Sequence, residues 1–163
     1  MSNTVTTIQK QNPYLELAKS FFSGSDHPLF SQFGVEVEEI SQGRAVMSMP
    51  YAHQLANGDG CLHSGVISTL LDTNCGLAIF AYLADMKPIA TIDLRVDFIR
   101  EPQAGDGIFT DVECYATEGD LAYVTGRATT SSDCSLVATV TGCFAINTMG
   151  PSFRDGNKGP VNA

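Results

Sequence analysis

The segment NGDGCLHSGVISTLLD, residues 57–72, joins a glycine-rich loop to the start of an apolar helix. The helix is predicted to begin near His63 and to run to about Ala84, and almost every residue after Thr73 within it is apolar. Asp72 is therefore a carboxylate inside an apolar helix, and we expect it to be largely desolvated unless a polar site receives it. Carboxylates in such surroundings are often functional.

The loop before the helix contains a second set of candidate site residues. It contains an asparagine, Asn57, and a histidine, His63, and it leads into a helix N-terminus. The first N–H groups of a helix have no partner within the helix, so they form a ready site for an anion or an oxyanion. A carboxylate and a set of oxyanion donors are the parts of an acyl-transfer site.

The length, composition and net charge of the chain indicate how many domains it has and which partners it can bind. The chain has 163 residues, 44% of them hydrophobic, which is enough for one compact core, and we predict a single domain over residues 1–147 followed by a flexible tail over 148–163. The net charge of −9 gives no broad basic surface, which excludes nucleic acid and anionic membranes as expected partners.

Cysteine use and the first residues predict a cytoplasmic protein. The five cysteines are odd in number and show no C-x-x-C pair, which is typical of reduced thiols. Residues 1–11 are polar and lack the apolar run of a signal peptide. Residues 66–84 approach the length of a membrane span, but Asp72 and Asn74 lie in the middle, so a buried helix of a soluble protein is favoured.

The remaining elements are predicted from periodicity and turn residues. A helix over about 13–23 opens the chain, and residues 27–34 are interpreted as a turn region. From Pro88 onward the period is two: Ile92, Leu94, Val96 and Phe98 alternate with Thr91, Asp93, Arg95 and Asp97. The predicted strands cover residues 35–41, 44–50, the segment around 91–98, 107–117, 121–130 and 136–147.

This order of elements predicts an α+β fold. A helix that is apolar nearly all round must be covered on most sides, and one antiparallel sheet of five to six strands wrapped around it would do so. Gly76, in mid-helix, costs about 1 kcal/mol relative to alanine, so we expect another stretch of backbone to approach it closely.

With this order of elements, and with Asn57, His63, Ser64-Gly65 and Asp72 in this spacing, the chain resembles the hot-dog-fold acyl-CoA thioesterases of the PaaI-like branch of the thioesterase superfamily. The resemblance covers roughly residues 30–147. Members usually carry His-Gly-Gly, so Ser64 replaces the first glycine here. The resemblance implies a hot-dog fold and thioester hydrolysis without a separate cofactor, since coenzyme A is part of the substrate.

The resemblance also implies roles for individual residues. The N–H of Ser64, beside Gly65, and the side chain of Asn57 would polarise the thioester carbonyl. Asp72 would activate water or attack the carbonyl directly. His63 would orient the loop or meet the leaving sulfur, and the hydroxyl of Thr91 would help to hold the water.

Helix geometry adds a constraint to these roles. The nine residues from His63 to Asp72 advance about 13 Å and turn about 900°, which leaves the two side chains on opposite faces. They cannot act on one carbonyl from within one chain. If both act on the same bond, Asp72 comes from a second subunit, and the expected assembly is a homodimer or a dimer of dimers.

Structural roles stay open for each of these residues. Asp72 could be a core carboxylate bonded to the hydroxyl of Ser68 or Thr69, His63 could be a helix cap, and Asn57 could be a turn residue. The acyl group is not specified, because the depth of its pocket is expected to depend on how Met47, Met49, Phe80 and Tyr82 pack across subunits.

Two other functions also fit parts of the pattern. One is a hydratase or dehydratase of acyl thioesters on the same fold, and the other is a non-catalytic module that binds or senses acyl-CoA. The histidines show no metal-ligand spacing, so no metal site is expected. Arg95, Arg100 and Lys87 could meet the phosphates of coenzyme A, although a solvated surface charge is the commoner explanation for each.

Overall fold

The computed structural model describes residues 28–149. The predicted N-terminal helix and all but the first two residues of the predicted tail lie outside this range. The elements, in chain order, are α1 (Pro28–Phe33), β1 (Glu36–Ser41), β2 (Arg44–Met49), a 3-10 turn (His53–Leu55), α2 (Ser64–Leu83), β3 (Ile89–Phe98), β4 (Ile108–Glu118), β5 (Leu121–Thr130) and β6 (Leu136–Ile146). Helix α1 replaces the predicted turn region, because so short a helix leaves no periodic pattern in the sequence.

The six strands form one antiparallel sheet in the order β1-β2-β4-β5-β6-β3, and α2 packs mainly on β2, β4 and β5. The predicted α+β class, with a sheet wrapped around a long central helix, is therefore confirmed. Strand β3 comes from the middle of the chain but lies at one edge of the sheet, where it pairs with β6.

The core lies between α2 and the concave face of the sheet. Helix α2 is long and apolar enough to cross a membrane by length and composition alone, and 61% of its most apolar 18-residue window is buried inside the protein. The strands supply Met47 and Met49, both fully buried. These two side chains pack under the helix of their own chain, which contradicts the expectation that they pack across subunits.

Both ends of α2 match the sequence prediction. His63 is the N-cap residue, and Ala84 ends the helix in the left-handed conformation with φ 52°. A Cβ at Gly76 would lie 3.2 Å from Cδ1 of Ile89. The group close to this position is therefore a side chain of β3, and the expectation of close backbone approach was wrong.

Strand β3 contains a β-bulge that the strict alternation missed. Thr91 pairs with Phe144 and Asp93 pairs with Cys143, so Ile92 is an extra residue between two consecutive partners. Directly paired residues share a face of the sheet, and Phe144 belongs to the core. Thr91 therefore faces the helix, not the polar face predicted for it, and Ile92 is 59% exposed.

Candidate active site

The loop that precedes α2 is organised by the side chain of Asn57. Its Oδ1 accepts hydrogen bonds from the backbone N–H groups of Asp59 and Cys61, both at 3.0 Å. These two donors identify the oxygen end of the amide. The Nδ2 group makes no hydrogen bond to any of residues 28–149. Asn57 is thus a turn residue through its oxygen and keeps an unengaged donor at its nitrogen.

The first turn of α2 is capped by His63. Its Nδ1 accepts from the N–H of Gly65 at 3.0 Å, and its carbonyl accepts from the N–H of Val66 at 2.9 Å. An acceptor at Nδ1 means that a neutral ring carries its proton on Nε2. A Cβ at Gly65 would lie 3.2 Å from Nδ1, so glycine leaves room for the ring.

This capping leaves one donor of the first turn unused. The N–H of Gly65 is engaged by His63, whereas the N–H of Ser64 makes no hydrogen bond within the described part of the chain. It lies at the positive end of a 20-residue helix, where partial charge favours a negative ligand. The N–H of Ser64, which was predicted to be a donor, is therefore available, whereas the N–H of the neighbouring site residue Gly65 is not.

A cavity of about 370 Å³ opens beside these groups. Its lining residues come from the loop, the first turn of α2 and the segment that leaves β3: Asn57, Leu62, Ser64, Ile67, Phe98, Ile99, Arg100, Glu101 and Pro102. The segment 98–102 was not predicted to line this cavity. Its position depends on the N–H of Ile99, which donates to the carbonyl of Val137 at 2.8 Å, a long-range contact that local patterns do not reveal.

Asp72 lies in a second location, on the side of α2 next to β3. It is half-buried, and its Oδ1 accepts a hydrogen bond from the hydroxyl of Thr91 at 2.9 Å. Asp72 is therefore less desolvated than predicted, because the edge of the sheet leaves that side of the helix partly open. Its contact with Thr91 agrees with the expected pairing of these residues.

The hydroxyls nearest to Asp72 along the helix are used elsewhere. Ser68 donates to the carbonyl of Ser64 at 3.0 Å, and Thr69 donates to that of Gly65 at 2.9 Å. The alternative in which one of these hydroxyls holds Asp72 is therefore contradicted. Neither Asp72 nor Thr91 lines the cavity of Asn57 and Ser64, so one chain presents the predicted site residues as two separate groups.

The thiols near this region are inert. All five cysteines are free. Burial, with the charge of Asp72 and then of Cys114 as smaller causes, raises the pKa of the Cys75 thiol far above its ordinary value. Burial likewise raises the pKa of Cys114 to about 11. Neither thiol is a nucleophile near neutral pH. Within residues 28–149, no cluster of His, Cys, Asp or Glu is arranged to hold a metal ion.

Comparisons with known proteins bear on the family of the chain. The model of the thioesterase superfamily matches residues 59–135, a range that contains Ser64, Asp72 and Thr91. A protein of Halobacterium salinarum whose name marks it as a candidate esterase is 37% identical over 141 residues, which cover 80% of this chain and 87% of that protein.

Solved structures show the same fold. A thioesterase family protein from Silicibacter pomeroyi superposes with a TM-score of 0.73 at 25% identity, covering 82% of this chain and 97% of that one. The PaaI protein of the E. coli phenylacetic acid degradation operon superposes with a TM-score of 0.73 at 18% identity, covering 85% and 95%. The sheet, the central helix and these matches together assign the chain to the hot-dog-fold thioesterase superfamily, a family of hydrolases.

Proposed function

We propose that the protein is an acyl-CoA thioesterase, which hydrolyses an acyl-CoA to a free acid and coenzyme A at sites shared between two subunits. One observation carries the proposal. The N–H of Ser64 and the Nδ2 of Asn57 have no hydrogen-bond partner among residues 28–149, and both residues line the same cavity. Two unengaged donors beside a cavity suit the oxygen of a thioester carbonyl as it becomes negative.

In the proposed reaction, water attacks the carbonyl carbon while Asp72 of the second subunit takes its proton. A C–O bond forms, and the negative charge moves to the carbonyl oxygen between Asn57 and Ser64. The C–S bond then breaks, and the thiolate leaves with the proton that Asp72 gained. The hydroxyl of Thr91 binds Oδ1 of Asp72, which leaves Oδ2 for the water. A single turnover in ¹⁸O-water should label the product acid and not Asp72.

The edge strand supports the shared site. Near the start of β3, Thr91 donates a hydrogen bond to Asp72. At the end of β3, Phe98 lines the cavity. Seven residues of extended chain separate these two points by about 24 Å. If two copies of β3 pair antiparallel about a two-fold axis, Thr91 of one chain comes beside Phe98 of the other. The exposure of Ile92, Phe98 and Ile99 favours such pairing.

Arg100 supports coenzyme A as the carrier of the acyl group. Arg44, Arg95 and Arg127 are paired with carboxylates, whereas Arg100 makes no ion pair or hydrogen bond through its side chain within residues 28–149. It is exposed and lines the cavity of Asn57 and Ser64. A guanidinium without an ion pair at this position suits a phosphate of the carrier.

The test is a thiol-release screen of the wild-type protein over short, medium, long and aryl acyl-CoAs. We expect turnover of at least one of them. The same acyl group is then offered on pantetheine, which lacks the nucleotide phosphates. Arg100→Gln should lower kcat/KM about tenfold for the CoA thioester and leave the pantetheine thioester unchanged.

Arg95→Gln is the matched control, because Arg95 is already bound to Asp97 at 3.0 Å, and it should behave as wild type with both substrates. Absence of turnover with every acyl-CoA would contradict the proposed function. Equal losses of Arg100→Gln on both thioesters would contradict phosphate recognition by Arg100 while leaving thioester hydrolysis in place.

A further inference from the structure

The core of α2 contains an amide, Asn74, that the proposed chemistry does not use. Its side chain is fully buried. Its Nδ2 donates to the carbonyl of Ala45 on β2 at 3.1 Å, and to the carbonyl and hydroxyl oxygens of Thr110 on β4 at 3.1 and 3.0 Å. One side chain thus bonds the middle of α2 to two neighbouring strands.

The other end of this amide is unsatisfied. Oδ1 of Asn74 is buried and has no hydrogen-bond partner among the described residues. A buried acceptor without a partner lowers the stability of the fold, and an apolar side chain of similar volume would avoid that loss. Stability alone therefore does not account for an asparagine here, and a role in specifying the geometry of α2 would.

The surroundings of α2 explain why its geometry needs a directional contact. Buried apolar side chains point from α2 in several directions, among them Ile67, Leu70, Leu71, Ala78 and Ile79. Apolar packing is not directional and tolerates exchange of similar shapes. Hydrogen bonds from Asn74 to two strands fix both the rotation of the helix about its axis and its position along it.

We propose that Asn74 is a positioning residue that fixes the rotation of α2 so that Asp72 meets Thr91 at the open side of the helix. The two residues are two positions apart, which corresponds to a rotation of about 200°. When Asn74 faces β2 and β4, Asp72 must face away from them, toward β3. The catalytic consequence rests on the proposed function of Asp72, whereas the geometric consequence does not.

The experiment compares Asn74→Leu with wild type. We expect a melting temperature close to that of wild type, because the variant removes the unsatisfied oxygen and also removes the hydrogen bonds of Nδ2. The kcat for the best acyl-CoA should fall about tenfold or more as Asp72 loses its alignment, while KM changes less than about twofold. Leu70→Met is the matched control, at another buried position of α2 that makes no polar contact. It should leave both kcat and KM unchanged.

A second readout does not depend on activity. Cys75 is fully buried and lies about 60° from Asp72 around the helix axis, so rotation of α2 brings it toward the open side. Alkylation of Cys75, located by peptide mass, should be at least about tenfold faster in Asn74→Leu. This arm remains valid if the wild-type protein hydrolyses no acyl-CoA.

Unchanged kcat together with unchanged protection of Cys75 in a folded Asn74→Leu protein would overturn the proposal. If Asn74→Leu does not fold, Thr110→Val tests the proposal instead. It removes the hydroxyl acceptor of Asn74 and keeps the two carbonyl acceptors, those of Ala45 and Thr110. A smaller decrease in kcat and faster labelling of Cys75 in Thr110→Val support the proposal, and wild-type values for both overturn it.

Discussion

The first and the third turn of α2 carry opposite chemistry under opposite conditions. At the first turn, the exposed Ser64 presents its N–H, with the amide of Asn57 beside it at a cavity. At the third turn, the half-buried Asp72 presents an acceptor, and Thr91 is its hydrogen-bonded side-chain partner among residues 28–149. The donors lie at the N-terminal end of the helix, and the acceptor lies about two turns further along it, next to β3.

This separation allows a small domain to hold a carboxylate and oxyanion donors that would otherwise bind each other. A carboxylate beside oxyanion donors within one chain would occupy the donors itself, because charge-assisted hydrogen bonds are strong. Separation along a rigid helix keeps the two groups apart within one chain, and in the proposed site a second chain brings them together. Substitutions at the first and at the third turn test the role of each, and a mixed dimer tests whether the two act together.

The largest effect is expected at the third turn. Asp72→Asn keeps the oxygen that accepts from Thr91, so the fold should be unchanged, but it removes the proposed base. We expect kcat to fall by about 10³-fold, within the range that a general base supplies, with a much smaller change in KM. Steady-state kinetics and a thermal melt measure the two quantities, and turnover within tenfold of wild type would remove Asp72 from the mechanism.

The next effect separates the two functions of Asn57 at the loop. Asn57→Asp keeps an oxygen for the N–H groups of Asp59 and Cys61 and loses the Nδ2 donor, so the melting temperature should barely move. The kcat should fall by about 10²-fold, the scale of one lost oxyanion donor.

Asn57→Ala is the comparison variant, because it loses the loop contacts as well and should combine the low kcat with a lower melting temperature. Normal kinetics in Asn57→Asp, with a lowered melting temperature in Asn57→Ala, would leave Asn57 as a turn residue alone.

A smaller effect is expected for the partner of Asp72. Thr91→Val is nearly isosteric and removes the hydrogen bond to Oδ1, so kcat should fall about tenfold, the scale of one hydrogen bond to a charged group. Thr91→Ser keeps the hydroxyl and should restore most of the rate. If Thr91→Ser is as slow as Thr91→Val, packing of the methyl group, not the hydroxyl, supports turnover.

The last effect tests the link between the two turns. Ser64→Pro removes the unengaged N–H, and the extended conformation of His63, with ψ 136°, is compatible with a following proline. Ser64→Pro and Asp72→Asn homodimers should each be nearly inactive. After co-unfolding and refolding, half of the dimers are mixed and each has one intact site, so activity should return to about a quarter of wild type. Verified subunit exchange without recovered activity would show that the two residues do not act on one bond.

Several features could be predicted from the sequence because their signals are local. Capping residues and an apolar run predict the start of α2 at His63 and its end at Ala84. Periodicity and turn residues predict strands β1 and β2. The opposite placement of His63 and Asp72 follows from the helical repeat. The fold class follows from the order of these elements and from an apolar helix that needs covering.

Other features depend on contacts between distant parts of the chain. The bulge at Ile92 is a property of how β3 pairs with β6, so alternation within β3 alone assigned Thr91 to the wrong face. Gly76 makes room for Ile89, which is a tertiary contact. The cavity wall at Arg100 is positioned by Val137, and the exposure of Asp72 depends on which strands cover α2. None of these leaves a pattern in a single segment.

The bulge makes Ile92 a residue that β3 can hold or lose without a change in which side chain Asp72 meets. Loss of Ile92 would join Thr91, opposite Phe144, directly to Asp93, opposite Cys143, so every remaining side chain of β3 would keep its partner and its face. A single-codon deletion at this position should therefore preserve the contact between Thr91 and Asp72. Homologous sequences that are one residue shorter here can carry the same site, and an alignment needs a one-residue gap at Ile92 to show it.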